Sequence, residues 1–153
     1  MNGVKSIIIL PFQQEDQEKV KELILNGLAE HWGELDLTKN PDLNNIAATY
    51  SQDIFLVAWL EDKIVGTGAL VHWSDEIAEI VRMSVVKEMR KKGIGRLILQ
   101  KLIEIAEEKG YRKIILETTN TWHEIIEFYL KCGFKITHEQ DGDIFFEMIL
   151  FQR

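Results

Sequence analysis

Arg90, Lys91, Lys92, Gly93, Ile94, Gly95 and Arg96 make a basic turn punctuated by glycine. Residues of these types at this spacing suit one kind of chemistry, the holding of an anion. A β-branched, apolar stretch (77–86) runs into the turn, and an apolar stretch with helical period (97–106) runs out of it. A strand, a short turn and a helix are therefore predicted. Gly93 and Gly95 stand where the helix starts. A glycine there can take positive φ and lets another group come close to the backbone. The first amides of a helix are unpaired and lie at the positive end of its dipole. With four cations around them, a phosphate or pyrophosphate is the natural ligand. The plainer alternative is a basic surface turn that opens a helix. Two familiar phosphate loops do not fit. No Gly-Lys-Ser/Thr follows a four-residue spacer, so the turn is not a P-loop, and the third glycine of a dinucleotide fingerprint is missing.

Other reactive side chains are sparser. His31, His72, His123 and His138 are scattered without metal-ligand spacing, so no metal is expected. Cys132 falls on an apolar helical stripe and reads as core rather than nucleophile. Glu79 and Glu117 each interrupt an apolar strand. Desolvation there would raise a carboxylate's pKa, which suits a general base, although a strand residue facing outward would look the same.

The elements that must position these groups can be read in order. Residues 6–12 form a first strand, ended near Pro11. Residues 14–32 carry Val20, Leu23, Ile24 and Leu28 as a helical stripe that Gly33 stops. A loop (34–40) precedes a weaker helix at 41–50, with Pro41 near its first position. Strands at 55–60 and 64–71 flank a tight turn, and 76–86 completes a three-strand meander. Gly66 and Gly68 would thin one face of the second of these strands, or mark a close neighbour. The helix after the basic turn ends near Lys109 and Gly110, and 112–119 is the next strand, giving a right-handed parallel βαβ crossover. Residues 122–131 form a helix stopped by Gly133. Strands at 134–139 and 144–151 then flank an Asp141-Gly142-Asp143 hairpin turn.

A chain of 153 residues, 46% hydrophobic, suits one α+β domain over 1–153 with a mixed, mostly antiparallel central sheet flanked by helices. The formal charge of −7 argues against a general nucleic-acid binder. One cysteine excludes an internal disulfide, and neither a leader segment nor a membrane span is evident, so a cytoplasmic protein is expected. Assembly as a homodimer is left open.

The order of elements resembles the GCN5-related N-acetyltransferase (GNAT) superfamily. Two stretches carry the resemblance. Val85 followed by Arg90-Lys91-Lys92-Gly93-Ile94-Gly95 is similar to the family's Arg/Gln-x-x-Gly-x-Gly/Ala loop. Phe128-Tyr129-Leu130-Lys131-Cys132-Gly133-Phe134 is similar to its tyrosine helix ending in Gly-Phe. The resemblance covers nearly the whole chain and is weakest over 30–52. It implies acetyl-CoA as cosubstrate, with the pyrophosphate on the amides of the turn and the pantetheine arm along Met83, Ser84 and Val85. An exposed strand edge can accept an amide-bearing ligand as it would a strand. Relatives often carry a cofactor-contacting asparagine seven residues before the tyrosine; here that position is Trp122, and the nearest asparagine is Asn120.

The resemblance also implies acetyl transfer to a primary amine of a small molecule or peptide. Tyr129 takes the role of acid toward the leaving thiolate, since a phenol with pKa about 10 is protonated at neutral pH. Glu79 resembles the base of the histone-acetylating branch, and Glu117 that of ribosomal-protein N-terminal acetylating relatives. A base acting through water is a third option. From periodicity alone, Tyr129 is one more residue on the apolar stripe of Ile125 and Phe128. A CoA-binding module without turnover is the alternative from another class. Glu30, Glu34, Asp36 and Asp42 lie in the region that shapes the amine pocket in this family, where Trp32, like Trp73 elsewhere, could also line it. The four acids could draw a cationic amine such as a polyamine or aminoglycoside, or simply form a solvated face.

Overall fold

Period-two patterning makes the strands, and their pairing leaves one gap on which the site depends. The computed structural model describes residues 6–32 and 39–150. Strands β1 (Ile7–Pro11), β2 (Ile54–Leu60), β3 (Lys63–His72) and β4 (Ile77–Val85) pair antiparallel in sequence order. Helix α3 (Ile94–Glu108) then crosses over, and β5 (Lys113–Thr119) lies parallel to β4. After α4 (His123–Lys131), strands β6 (Lys135–Gln140) and β7 (Asp143–Ile149) close the sheet in the order β1-β2-β3-β4-β5-β7-β6. The turn between the last two strands has positive φ at both Asp141 (53°) and Gly142 (88°), the geometry a two-residue hairpin needs. The mixed, mostly antiparallel sheet with one parallel crossover matches the predicted fold class.

Each face of the sheet has its own core. On one, Ile94, Ile98, Leu99 and Leu102 of α3 pack with Ala78, Ile80, Ile114, Leu116 and Phe146. On the other, α1 (Gln17–Trp32) supplies Val20, Leu23 and Ile24, which meet Leu43, Ile46, Phe55, Val57 and Ala69. The close-neighbour reading of Gly66 and Gly68 is the correct one. A Cβ on Gly68 would lie 2.6 Å from both Ile98 Cγ2 and Met83 Sδ, and one on Gly66 would lie 2.9 Å from Ile98 Cδ1. The two glycines let α3 sink onto β3, and so fix where the start of α3 stands. Gly27 does the same for α1, where a Cβ would come within 3.0 Å of Ser84 Oγ.

Two expectations need revision. The helix predicted at 41–50 is instead a 3-10 turn (Pro41–Asn44) and a single α-turn, α2 (Ile46–Thr49). Asn45 breaks it: its backbone is extended (φ −151°) and its Oδ1 accepts from Ala48 N at 3.1 Å, capping the second piece. The helix predicted from 14 opens as a 3-10 turn (Gln14–Asp16), because the Asp16 carboxylate takes the Gln13 amide at 3.0 Å. The stop at Gly33 and most of the 34–40 loop lie outside the described residues.

Candidate active site

The parallel pairing of β4 with β5 ends early. It runs through Ile77–Lys113, Ala78–Ile114 and Glu79–Ile115, and goes no further. Beyond Glu79 the two strands part, and β4 keeps a partner only on its β3 side. That side contains a β-bulge: from Thr67–Ser84 to Ala69–Val81, β4 spends three steps against two on β3. Arg82 takes up the excess in the left-handed region (φ 57°), and its carbonyl accepts from the fully buried Thr67 hydroxyl at 2.8 Å. Val81 and Arg82 therefore both face α1 and residues 40–50, whereas Met83 faces α3 beside Gly68. Met83, Ser84 and Val85 thus lie on a strand edge turned toward the gap.

The basic turn closes one end of this gap. Lys91 (φ 63°) and Gly93 (φ 89°) are both left-handed and coil the chain into α3. A Cβ on Gly93 would meet nothing within 4 Å, so the glycine answers to backbone conformation, and the space in front of it stays open. No side chain caps α3, and its first turn holds no acidic residue. Ile94 is buried while Gly95 lies against the ring of Phe128, 3.4 Å from its would-be Cβ. The cations divide. Lys92 and Arg96 are exposed, and Lys91 approaches Glu124 at 3.8 Å on an exposed surface. Arg90 turns inward. Its guanidinium grips Glu30 of α1 with two bonds (2.6 and 2.9 Å) and donates to the Val85 carbonyl at 2.9 Å. Its side chain holds the turn against the strand, so any anion contact at this position falls to its backbone.

The two glutamates share one face. Glu79 is level with Ile115, and Glu117 follows at the same parity on β5. Across β5 and β7, Glu117 is paired with Phe145, and Thr119 with Asp143. Glu79 is half-buried and Glu117 exposed. Burial raises the Glu79 pKa, and the Glu117 charge adds to it. For Glu117 burial also leads, followed by the charge and hydrogen bonding of Asp143. Asp143, which the sequence reading passed over, thus belongs to the group. Only the β5–β7 register brings it there, since it reads as hairpin punctuation in the sequence.

Tyr129 lies on the opposite face. Its ring is packed edge-on against Phe128 and Phe134 and tilted against Phe146, with centroids 5.2–5.8 Å away, and the residue is 7% exposed. Burial holds its pKa well above the ordinary phenol value. Its hydroxyl bonds to none of the described residues, and it is not a fully enclosed atom left without a partner. The ring is core, as the helical period implies, and the raised pKa keeps the phenol protonated at neutral pH. Asn120 is differently engaged. Its amide donates to Glu139 at 2.7 Å and its backbone N–H to the Gly142 carbonyl, which tie it to the β6–β7 hairpin. Trp122 sits at the N-cap of α4. Among the described residues no cluster of His, Cys, Asp or Glu could hold a metal ion, and no helix is long and apolar enough to cross a membrane.

Two of the four acids near the expected amine pocket are paired. Glu30 is committed to Arg90 and Asp42 to Arg82, while Glu34 and Asp36 lie outside the described residues.

A splayed parallel pair, a bulge just beyond the splay and an uncapped helix behind a basic glycine turn define an acyl-CoA acyltransferase fold. The profile of the Acetyltransferase (GNAT) family matches residues 18–134, and the chain belongs to that family. It is 33% identical over 105 residues to probable N-acetyltransferase 14 of Xenopus tropicalis, covering 66% of this chain and 51% of that protein. With human N-acetyltransferase 8B it shares 30% identity over 122 residues, 74% of this chain and 52% of the relative. The chain thus spans about half the length of these curated relatives. Among solved structures, a GNAT-family acetyltransferase from Staphylococcus aureus Mu50 superposes with a TM-score of 0.85 at 26% identity, over 95% of this chain and all of that one (100%). The PaiA N-acetyltransferase of Thermoplasma acidophilum, solved in complex with coenzyme A, has the same fold, with a TM-score of 0.83 at 24% identity over 95% and 99% of the two chains.

Proposed function

We propose that the chain is one acetyltransferase domain, working in a reducing, cytoplasmic setting, that moves an acetyl group from acetyl-CoA directly to a primary amine. The observation that carries this reading is the parting of β4 from β5 directly beyond Glu79. It leaves a strand edge for the amides of a pantetheine arm, with the uncapped start of α3 at one end for the pyrophosphate and a half-buried carboxylate at the root.

Glu79 is the base in this reading, because it is the more buried of the two glutamates and lies where β4 and β5 last touch. An alkylammonium with pKa about 10 must lose a proton before it can attack, and a carboxylate of raised pKa accepts that proton more readily than an ordinary one. The amine nitrogen then forms the bond to the thioester carbonyl carbon, and a main-chain amide of the open β4 edge supports the charge on oxygen. As the carbon–sulfur bond breaks, the electron pair goes to sulfur, the Tyr129 hydroxyl supplies a proton to the thiolate, and the second proton lost by the attacking nitrogen passes through solvent to restore the phenol. Burial and then the Glu117 charge raise the Glu79 pKa, Asp143 in turn raises that of Glu117, and the three carboxylates give the acceptor side a negative field that suits an ammonium.

The test has two parts. Calorimetry with coenzyme A asks whether the turn binds it. Mass spectrometry of amine panels (small monoamines, polyamines, aminoglycosides and peptides) incubated with acetyl-CoA asks for products 42 Da heavier, the mass of about one acetyl group replacing a proton. Binding with no product from any class would leave a CoA-binding module in place of an enzyme.

A further inference from the structure

One polar network in the molecule is unused by this chemistry and touches the site at its most constrained point. Arg82, in the β4 bulge, donates from Nη2 to Asp42 Oδ1 at 2.6 Å and from Nε to Asp42 Oδ2 at 2.9 Å. Its Nη2 also donates to Asn40 Oδ1 at 3.0 Å. The Tyr50 hydroxyl donates to Asp42 Oδ2 at 2.6 Å. Burial pushes the Tyr50 pKa up to about 12, with Asp42 adding to it, so this hydroxyl remains a donor. Burial also acts to raise Asp42, but the bonds from Arg82 and Tyr50 outweigh it and hold the carboxyl below its ordinary range. The pair is mostly removed from solvent, at 18% and 22% side-chain exposure, so water screens it weakly.

Among the described residues, every hydrogen bond that joins residues 40–50 to β4 ends on Arg82. At its other end Arg82 is part of the strand edge itself. Its left-handed backbone and the Thr67 bond to its carbonyl set the direction in which Met83, Ser84 and Val85 leave the bulge. The segment 40–50 has independent anchors. Leu43 and Ile46 are fully buried against α1, and the Gln17 side chain bonds the Leu43 carbonyl (2.7 Å) and the Ile46 amide (2.9 Å). Loss of the Arg82 bridge would therefore loosen the segment without unfolding it.

We propose that Arg82 is a positioning residue that couples the donor edge of β4 to the acceptor-side segment 40–50. The proposal rests on the reading of 83–85 as the donor edge and of 40–50, which packs beside Val81 on the Glu79 face of β4, as the acceptor side. A ligand paired to that edge acts as an added strand and restrains the bulge. A restrained Arg82 holds Asp42 and Asn40 in one arrangement, so the segment is already ordered when the amine arrives. By linkage, an ordered segment binds acceptor with less entropy to lose, and bound acceptor in turn favours the donor.

Hydrogen exchange read by mass spectrometry, on the full chain with and without saturating coenzyme A, tests this. In the wild type, coenzyme A is expected to slow exchange at 83–96 by direct contact and at 40–50 by about five-fold or more, the lower end of typical coupling. Asp42→Asn keeps the side-chain volume and removes the charge, and Arg82→Lys keeps the charge and removes the fork. Both should retain the slowing at 83–96 and lose that at 40–50, whereas Tyr50→Phe, which leaves the fork intact, should retain both. Protection confined to 83–96 in the wild type overturns the coupling and leaves the donor site standing. Protection at 40–50 that survives in both bridge variants overturns it as well. No binding of coenzyme A at all removes the donor reading and the coupling together.

Discussion

Tyr129→Phe removes one oxygen, and the structure says what that oxygen is worth to the fold. The ring contacts with Phe128, Phe134 and Phe146 survive the change intact. The hydroxyl bonds to none of the described residues, so among them no hydrogen bond is lost and no partner is left unsatisfied. The stability change should then stay within about 0.5 kcal/mol, the range of substitutions that break nothing. For a domain of this size that is a Tm shift of about 1–2 °C. The donor edge and the basic turn are untouched, so the Kd for coenzyme A should change little. If the hydroxyl protonates the thiolate only as it leaves, the loss falls on kcat, with KM nearly unchanged. A general-acid contribution is typically about 10²- to 10⁴-fold, or roughly 3–5 kcal/mol of barrier. Thermal unfolding, calorimetry and steady-state kinetics on the same preparation separate the three quantities. Full kcat in the variant would remove Tyr129 from the mechanism. A Tm loss of many degrees would show instead that the hydroxyl holds the core together, and the argument from its missing partner would be wrong.

Further predictions concern the glutamates and glycines. Glu79→Gln should lose rate most near neutral pH and recover it as pH approaches the amine's own pKa of about 10, where free amine needs no base; Glu117→Gln should show a smaller loss and no such recovery. A folded pKa raised above the unfolded one means that Glu79 stabilises the fold at pH below the unfolded pKa, and that this is lost as pH rises through the folded pKa. Glu79→Gln should therefore be more stable than wild type at pH 7 in denaturant titrations, with the gain vanishing toward pH 4, about where a free carboxyl titrates. Gly93→Val forces a side chain into φ +89°, at a cost of about 1–2 kcal/mol, and places a branched group where the phosphate would come closest. Calorimetry should show weakened coenzyme A binding at temperatures where the variant is still fully folded, and unchanged affinity would misplace the anion site. Gly68→Ala puts a methyl 2.6 Å from Ile98 and Met83, so overpacking of about 1–3 kcal/mol should appear as a lower Tm, and the displaced Met83 edge should weaken coenzyme A binding as well.

Some features of this protein follow from local sequence alone. The basic turn was legible because glycine and cations at a strand-to-helix junction act through their own backbone and charge. The left-handed φ of Gly93 and the uncapped start of α3 match what residues 90–96 imply in isolation. The hairpin at Asp141-Gly142 and the parallel crossover were legible for the same reason, since a two-residue turn and a helix between two strands leave few alternatives.

Register and burial were not legible, because they depend on residues far apart in the chain. Nothing near Glu79 says that β5 leaves it after Ile115, or that Glu117 and Asp143 end up on its face. Nothing near Arg90 says that its charge belongs to Glu30, sixty positions earlier, rather than to a phosphate. The bulge at Arg82 has no glycine to announce it. A buried threonine on the neighbouring strand and an aspartate forty positions away hold the left-handed backbone there. Tyr129 shows the division within one residue. Its helical period placed the ring in the core, but only the packing of Phe128, Phe134 and Phe146 around it decided how deeply it is buried, and so how far its pKa rises.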